Sequence, residues 1–271
     1  MDPRFPAQQG SSLIQRNLFP TLIYGPVRSR RLGASLGINP LPLDVKLCSF
    51  NCPYCQFGWT GFYVGDVGEA PAELFPTVEA VGAALEDALE GLAADGTRID
   101  SLTFAGNGEP TLHPEFSELV DVVAAVRDRL APEVKLSILT SASTIHRPEV
   151  LEALNRLDER QVKLDAGDPE TIQAVNLPHR PFDLQRMIAH ISGLTDCIVQ
   201  SMFVQGRVDN TTDDIVAAWI DKVEQIRPLA VQLYTLDRIP ADTQLKIVPR
   251  DRLDAIAGWC QESTGVACEV Y

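Results

Sequence analysis

Ser101-Leu102-Thr103-Phe104-Ala105-Gly106-Asn107-Gly108-Glu109-Pro110 reads as a short apolar strand that ends in a turn rich in glycine, asparagine and proline. Behind it, residues 115 to 130 place Phe116, Leu119, Val120, Val123 and Val126 on one helical face, and residues 134 to 140 return as a strand. A strand, a helix and a strand in that order predict a parallel pair, because parallel neighbours need a long crossover where antiparallel ones need only a hairpin.

The alternation continues both ways from this unit. Upstream, Leu36 to Leu43 suits a first strand, with Pro40 and Pro42 towards its end. A helix follows, with Thr77 as N-cap and Val81, Leu85, Ala88, Leu89 and Leu92 repeating on one side. Downstream, helix 148 to 157 carries Val150, Leu151, Leu154 and Leu157, and strand Gln161 to Asp165 follows. A helical region, 169 to 194, is broken at Pro178 and Pro181 and leads to strand 197 to 204. Helix 212 to 226 buries Ile215, Val216, Trp219, Val223 and Ile226 and is stopped by Pro228. Strand Ala230 to Leu236 and a last helix, 250 to 261, complete the pattern.

Six strand-then-helix units predict a parallel sheet with right-handed crossovers and helices outside. Six strands are too few to close an eight-stranded barrel. The predicted fold is therefore α/β, a partial, open (β/α)6 barrel with parallel strands; a doubly wound sheet is the alternative. Residues 1–33 are expected to form an N-terminal arm, irregular up to Tyr24-Gly25-Pro26. Residues 34–248 form the core, and 249–271 a C-terminal helix and tail packed on it. In either architecture the loops after the strands share one face. Cys48 to Cys55, Gly106 to Pro110, Thr140 to Ser143, Asp165 to Asp168, Gln205 and Asp237 to Arg238 should converge there.

Cys48-Ser49-Phe50-Asn51-Cys52-Pro53-Tyr54-Cys55 occupies the first of those loops with three thiols at C-x3-C-x2-C. Thiols this close do not readily pair as disulfides, but one short loop can turn all three towards a soft metal centre. Three thiolates leave one iron of an iron-sulfur cluster open to an outside ligand, whereas structural zinc normally finds a fourth protein ligand. Zinc and plain core cysteines are the competing readings. Cys197, Cys260 and Cys268 follow no ligand spacing and are expected to be free, small core residues.

With 271 residues, 45% of them hydrophobic, the chain can bury a full core. The net charge of -14 works against a nucleic acid partner, which needs clustered Lys and Arg. The dense basic run is Arg28, Arg30 and Arg31, either a solvated turn or a contact to an anion or substrate. The first thirty residues hold no apolar run long enough for a signal peptide, and no later segment suits a membrane span, so a cytoplasmic protein without membrane contact is expected. Gln56 to Tyr63, aromatic and glycine-rich, is expected to pack around the cysteine loop. The histidines, His113, His146, His179 and His190, are scattered in sequence and read as surface or capping residues.

The cysteine spacing matches the signature of the radical S-adenosylmethionine (SAM) superfamily. The resemblance implies a radical SAM core, a [4Fe-4S] cluster on Cys48, Cys52 and Cys55, and SAM chelating the unique iron through its amino and carboxylate groups. Gly106-Asn107-Gly108-Glu109-Pro110 resembles the family's Gly-Gly-Glu motif, which holds the SAM amino group; Asn107 and Gly108 depart from it and Glu109 keeps its place. Tyr54 stands where the family carries an aromatic residue beside the adenine. Thr140, Ser141 and Asp165 stand where related enzymes place polar groups for the SAM ribose and carboxylate. Arg28, Asn176 and Arg238 are assigned to the substrate.

Gly25 to Gly33, Asn51 to Gln56, Lys163 to Asp168 and Leu236 to Arg238 together look like a bacterial group related to the wyosine-forming tRNA enzyme. This chain lacks an N-terminal cysteine set for a second cluster and lacks net positive charge, which speaks against tRNA. The implied activity is reductive cleavage of SAM to a 5′-deoxyadenosyl radical that abstracts hydrogen from a substrate the sequence does not name. The implied partner is a small electron-transfer protein of flavodoxin or ferredoxin type. The competing functions are modification of an RNA base and a non-catalytic iron-sulfur redox or sensing protein. Glu109 separates the last, since an electron carrier has no use for an acidic SAM-binding turn.

Overall fold

Strands and helices alternate along the chain as the apolar periods require. The computed structural model describes residues 17–181 and 183–271. In chain order they form β1 (Ile23–Ser29), β2 (Gly33–Ile38), the two-residue strands β3 (Leu47–Cys48) and β4 (Phe62–Tyr63), α1 (Val78–Ala94), β5 (Ser101–Phe104), α2 (Phe116–Leu130) and β6 (Lys135–Thr140). There follow α3 (Pro148–Asn155), β7 (Glu159–Lys163), α4 (Pro169–Val175), α5 (Leu184–Ile191), β8 (Cys197–Met202), β9 (Gln205–Gly206), α6 (Asp213–Ile226), β10 (Ala230–Tyr234), β11 (Leu245–Lys246), α7 (Arg250–Thr264) and β12 (Ala267–Val270).

The main sheet runs β1-β2-β5-β6-β7-β8-β10-β12. Every neighbouring pair is parallel except β1 with β2. Its six central strands are the six read from the sequence, and its two edges differ from expectation. Residues 23–29, expected to belong to an irregular arm, form edge strand β1. Pro26 is tolerated there because an edge strand need not donate every backbone N–H. Residues 267–270, expected as a packed tail, add a seventh parallel strand, which makes α7 a crossover helix rather than an appendage. Residues 1–16 of the expected arm lie outside the described residues. The first strand stops at Ile38, short of the expected Leu43, because Pro40 and Pro42 cannot donate to a ladder.

Along the six central strands the residues alternate between two kinds of side chain. One phase, including Leu36, Ile38, Leu102, Phe104, Leu136, Ile138, Val199, Val231 and Leu233, is buried with the helix faces in one apolar cluster. Helix α2 contributes all five of its expected residues, each worth roughly 1.5 to 3 kcal/mol when fully buried. The other phase is polar and still buried: Ser35, Ser101, Thr103, Ser137, Gln161, Gln200 and Gln232. Several of these pair across strands, with Ser35 Oγ 2.7 Å from Thr103 Oγ1 and Gln200 Nε2 donating to Gln232 Oε1 at 2.8 Å.

The sheet curls until its two sides come within side-chain reach of each other, without backbone pairing between the edges. Arg31, in the turn between β1 and β2, places its guanidinium 4.5 Å from the ring centre of Tyr234, at the end of β10 and beside the opposite edge. Arg30 reaches Asp237 at 3.6 Å in the same region. The polar phase therefore lines a lumen, and the architecture is the partial barrel rather than the doubly wound alternative. No helix among the described residues is long and apolar enough to cross a membrane.

All six cysteines are free. Cys197 and Cys260 are buried, as expected of core residues. Cys268, also expected as a core residue, is half-buried on β12, which packs beside α7 and its buried Cys260.

Candidate active site

The cysteine loop hangs on β3 at the mouth of the lumen. Leu47 N donates to Asn107 O at 2.9 Å and Glu109 N donates to Leu47 O at 3.2 Å, so the first cysteine is strapped to the turn after β5. Gly108 permits this approach. It has φ of +146°, and a Cβ there would stand 1.6 Å from Leu47 O. Further along, Asn51 N donates to Asn176 O at 3.0 Å, Asp242 N to Pro53 O at 2.8 Å, and Thr60 Oγ1 to Phe50 O at 2.7 Å. The loop is thereby tied to the segments after α4 and β10 as well.

Cys48, Cys52 and Cys55 are each half-buried by residue. Burial pushes the Cys48 thiol up to about 12 and raises Cys52 too, against the pull of the Lys46 ammonium. Lys46 is 2% exposed, and its Nζ donates to Gly58 O at 2.9 Å. Burial acts to lower its pKa, but the charges of Cys55, Cys48 and Cys52 outweigh that and the net shift is upward. A buried cation among three thiols suits a group that needs all three as thiolates, as a [4Fe-4S] cluster does. Among the described residues no three His, Cys, Asp or Glu side chains stand around one point as ligands of a single ion. A cluster asks for a wider triangle, since its thiolates bind different irons.

Glu109, 2% exposed, joins the strand-end loops. Its Oε1 accepts from Thr111 N at 3.1 Å, Thr111 Oγ1 at 2.6 Å and Thr140 Oγ1 at 2.7 Å; Oε2 accepts from Ser141 N at 2.6 Å. The carboxylate thus caps the short turn Pro110–Leu112 and keeps one position on Oε2 for a further donor. Asn107 turns the other way. Its amide donates to Phe19 O at 3.0 Å and Pro42 O at 2.9 Å, and its Oδ1 accepts from Phe19 N at 2.8 Å, so only its backbone faces the site. Gly106 bridges to Gly108 within the same turn.

A second centre forms around Asp165, 1% exposed. Its Oδ2 accepts from Tyr54 Oη at 2.5 Å and Asn176 Nδ2 at 2.7 Å; its Oδ1 accepts from Met202 N at 2.7 Å and pairs with Lys163 Nζ at 3.3 Å. Asn176 Nδ2 also stands 3.5 Å from Cys52 Sγ and 3.0 Å from Tyr54 Oη. Burial first, then the Asp165 charge, raises the Tyr54 hydroxyl well above its ordinary value, so it remains a donor. With four protein partners, Asp165 orients Tyr54, Asn176 and Lys163 rather than offering itself to a ligand.

The structure brings Cys48, Cys52, Cys55, Tyr54, the Gly106–Glu109 turn, Thr140, Ser141, Asp165 and Asn176 to one end of the sheet. It leaves Arg28 exposed on β1 and Arg238 exposed after β10. From the basic run, Arg31 is the residue directed at Tyr234. Lys46, Lys163 and Tyr234 were not among the site residues expected from sequence. The signal existed: Lys163 shares the two-residue phase of Asp165, and Lys46 that of Cys48. The histidines follow the surface or capping reading, His113 as a cap at the start of α2. His113 is buried, its Nδ1 accepting from Glu115 N at 3.1 Å. His146, His179 and His190 line one cleft of about 280 Å³ beside Ser49 and Phe50, because the loops after β6 and α4 lean together there.

Residues 45–217, which hold the cysteine loop, the Glu109 turn and Asp165, match the model of the Radical SAM superfamily, and the chain belongs to it. Within it, the chain resembles relatives that share one group name. It is 32% identical over 79% of this chain and 75% of UPF0026 protein slr1464 of Synechocystis, and 30% identical over 83% of this chain and 67% of UPF0026 protein MJ1312 of Methanocaldococcus jannaschii. Solved structures at 14% identity share the fold. A radical SAM methyltransferase from Sphaerobacter thermophilus has a TM-score of 0.65 over 88% of this chain, which spans 65% of that protein. A structure of TYW1 with a lysine-pyruvate adduct bound has a TM-score of 0.59 over 85% of this chain and 74% of that one. Streptococcus suis SuiB bound to S-adenosylmethionine has a TM-score of 0.56 over 86% and 51%. Members of the superfamily are enzymes that use a [4Fe-4S] cluster and SAM and need a reductant.

Proposed function

We propose that this chain binds a [4Fe-4S] cluster through Cys48, Cys52 and Cys55 and SAM against the adjoining strand ends, and acts on a small molecule held in the lumen. The observation that carries the reading is the strap between Leu47 and the Gly106–Glu109 turn, which sets the thiol loop beside a buried carboxylate with one acceptor position left. When bound, the cluster supplies the single electron that cleaves SAM to methionine and a 5′-deoxyadenosyl radical, which abstracts hydrogen from substrate.

The chain's own residues do the rest. Lys46 balances the thiolate charge, Glu109 Oε2 and the backbone carbonyls of Gly106 to Gly108 receive the SAM ammonium, and Thr140 and Ser141 fix Glu109. Asp165 holds Tyr54 and Asn176 against Cys52, closing the loop over the site and keeping water from it. The reductant is a flavodoxin or ferredoxin. The polar lumen, together with the net charge of -14, favours a small polar substrate over RNA.

The test is anaerobic reconstitution followed by dithionite. Wild type should bind about four irons and four sulfides and form 5′-deoxyadenosine from SAM. Serine at any of the three positions should abolish both. An intact cluster with no 5′-deoxyadenosine would instead point to a redox or sensing protein, and zinc in protein purified without air would refute the cluster.

A further inference from the structure

The lumen carries more unmet polarity than the cofactor sites use. Buried side-chain atoms without a hydrogen-bond partner among the described residues include Arg31 Nη1, Ser137 Oγ and Gln161 Oε1. Ser137 and Gln161 lie in the strand phase of Lys163, the inward one. Buried polar groups in folded proteins are almost always satisfied, so orphaned ones on an enclosed surface point to a ligand or water.

The charges are placed as unusually as the orphans. Arg31 lies 4.5 Å and Lys163 4.7 Å from the centre of the same ring, Tyr234, and Lys163 Nζ donates to Tyr234 Oη at 2.5 Å. Two cations on one ring repel unless anions compensate. Lys163 has Asp165 at 3.3 Å. Among the described residues no carboxylate pairs with Arg31, and Asp237 pairs with its neighbour Arg30 at 3.6 Å. Arg31 also sits in a turn fixed by Ser29 Oγ, which accepts from Arg31 N at 3.2 Å and Leu32 N at 3.1 Å, so its approach to Tyr234 is set by the backbone.

We infer that Arg31, Lys163 and the Tyr234 hydroxyl form an oxyanion-binding subsite for a carboxylate or phosphate on the substrate, with Ser137 and Gln161 meeting polar groups further along it. This rests on the reading that the lumen is the substrate site. Its position fits: Lys163 Nζ is 4.9 Å from the ring centre of Tyr54, between the second and third cysteines. A substrate anchored here extends its remaining atoms to the cysteine loop. Arg31 comes from the seam between the sheet edges, and the subsite lies on the Tyr54–Asp165 side of the lumen rather than at Glu109 and the Gly106–Gly108 carbonyls, which take the SAM ammonium.

The test uses the reconstituted full chain and two probes, sodium phosphate and sodium acetate, each exchanged for chloride at constant ionic strength while the thermal midpoint is followed. Wild type should show a saturable rise. Arg31→Gln should move its half-saturation up by about tenfold or more, the loss expected of one charge-assisted hydrogen bond. Tyr234→Phe, which removes only a hydroxyl, should weaken it less. A response to one probe alone supports the subsite and names the oxyanion. A rise that does not saturate, or is equal in all three proteins, is the general exclusion of such salts from protein surfaces and overturns the inference. A matching loss of SAM affinity in Arg31→Gln also overturns it, because the cations would then serve SAM itself. A saturable response in a protein that never cleaves SAM would leave the subsite standing and remove the proposed function instead.

Discussion

Glu109→Gln separates what the carboxylate does for the fold from what it does for SAM. The amide group must replace one oxygen. On the Oε2 side it faces the Ser141 N–H, a donor against a donor; on the Oε1 side it meets the Thr111 N–H in the same way, while the Thr111 and Thr140 hydroxyls can rotate to accept. Either orientation loses one backbone hydrogen bond to a charged acceptor, about 1.5 to 3 kcal/mol. For a chain of this size that is a fall in thermal midpoint of about 3 to 12 °C.

If Oε2 also receives the SAM ammonium, affinity drops by a further charge-assisted bond, about ten- to a hundredfold. Thr111→Val is the control. It deletes the hydroxyl that donates to Oε1 and bonds Thr144 Oγ1, leaves Oε2 untouched, and should cost about 1 to 2 kcal/mol of stability while leaving SAM affinity alone. The assay is calorimetric SAM binding to the anaerobically reconstituted protein, with a thermal melt of each variant. Wild-type SAM affinity in Glu109→Gln, alongside a lowered midpoint, would refute the binding role and leave Glu109 a structural cap.

Four further outcomes are expected. Serine at Cys197, Cys260 or Cys268 should leave iron content unchanged by elemental analysis, since none of these thiols approaches the cysteine loop. Gly108→Ala drives a Cβ to 1.6 Å from Leu47 O and should prevent cluster loading, seen as loss of the visible absorbance, whereas Gly91→Ala, which meets nothing within 4 Å in α1, should raise stability by about 0.5 to 1 kcal/mol. Burial lowers the pKa of His113 below its usual 6.5, so the fold favours the neutral ring. Its contribution is complete above pH 6.5 and is lost as pH falls below that value, and His113→Gln should flatten this part of a urea-denaturation profile against pH.

The periodic parts of the fold were legible and the edges were not. Phe116, Leu119, Val120, Val123 and Val126 announce α2 because one apolar stripe has one solution. β1 hides behind Gly25 and Pro26, since an edge strand needs neither a full ladder nor two buried faces. β12 hides because its four residues show no apolar alternation strong enough to stand out from a tail. The cysteines and Glu109 were legible as chemistry, but their partners were not. That Asn107 is spent on Phe19 and Pro42, that Asp165 is filled by Tyr54, Asn176, Met202 and Lys163, and that Arg31 rather than Arg28 turns inward all follow from contacts between segments far apart in sequence. Local patterns hold no record of such contacts.

The sheet remains open, so two strands keep backbone groups that the ladder does not use, and such borders are templates on which a second copy can dock and polymerise. The β1 border is blunted against this. Pro26 withholds a donor, the register shift between Tyr24 and Val27 breaks the even spacing a partner strand would need, and exposed Arg28 would meet its own like charge in an antiparallel copy. The same seven residues that complete the sheet thus keep a molecule with two free borders from growing into a fibre.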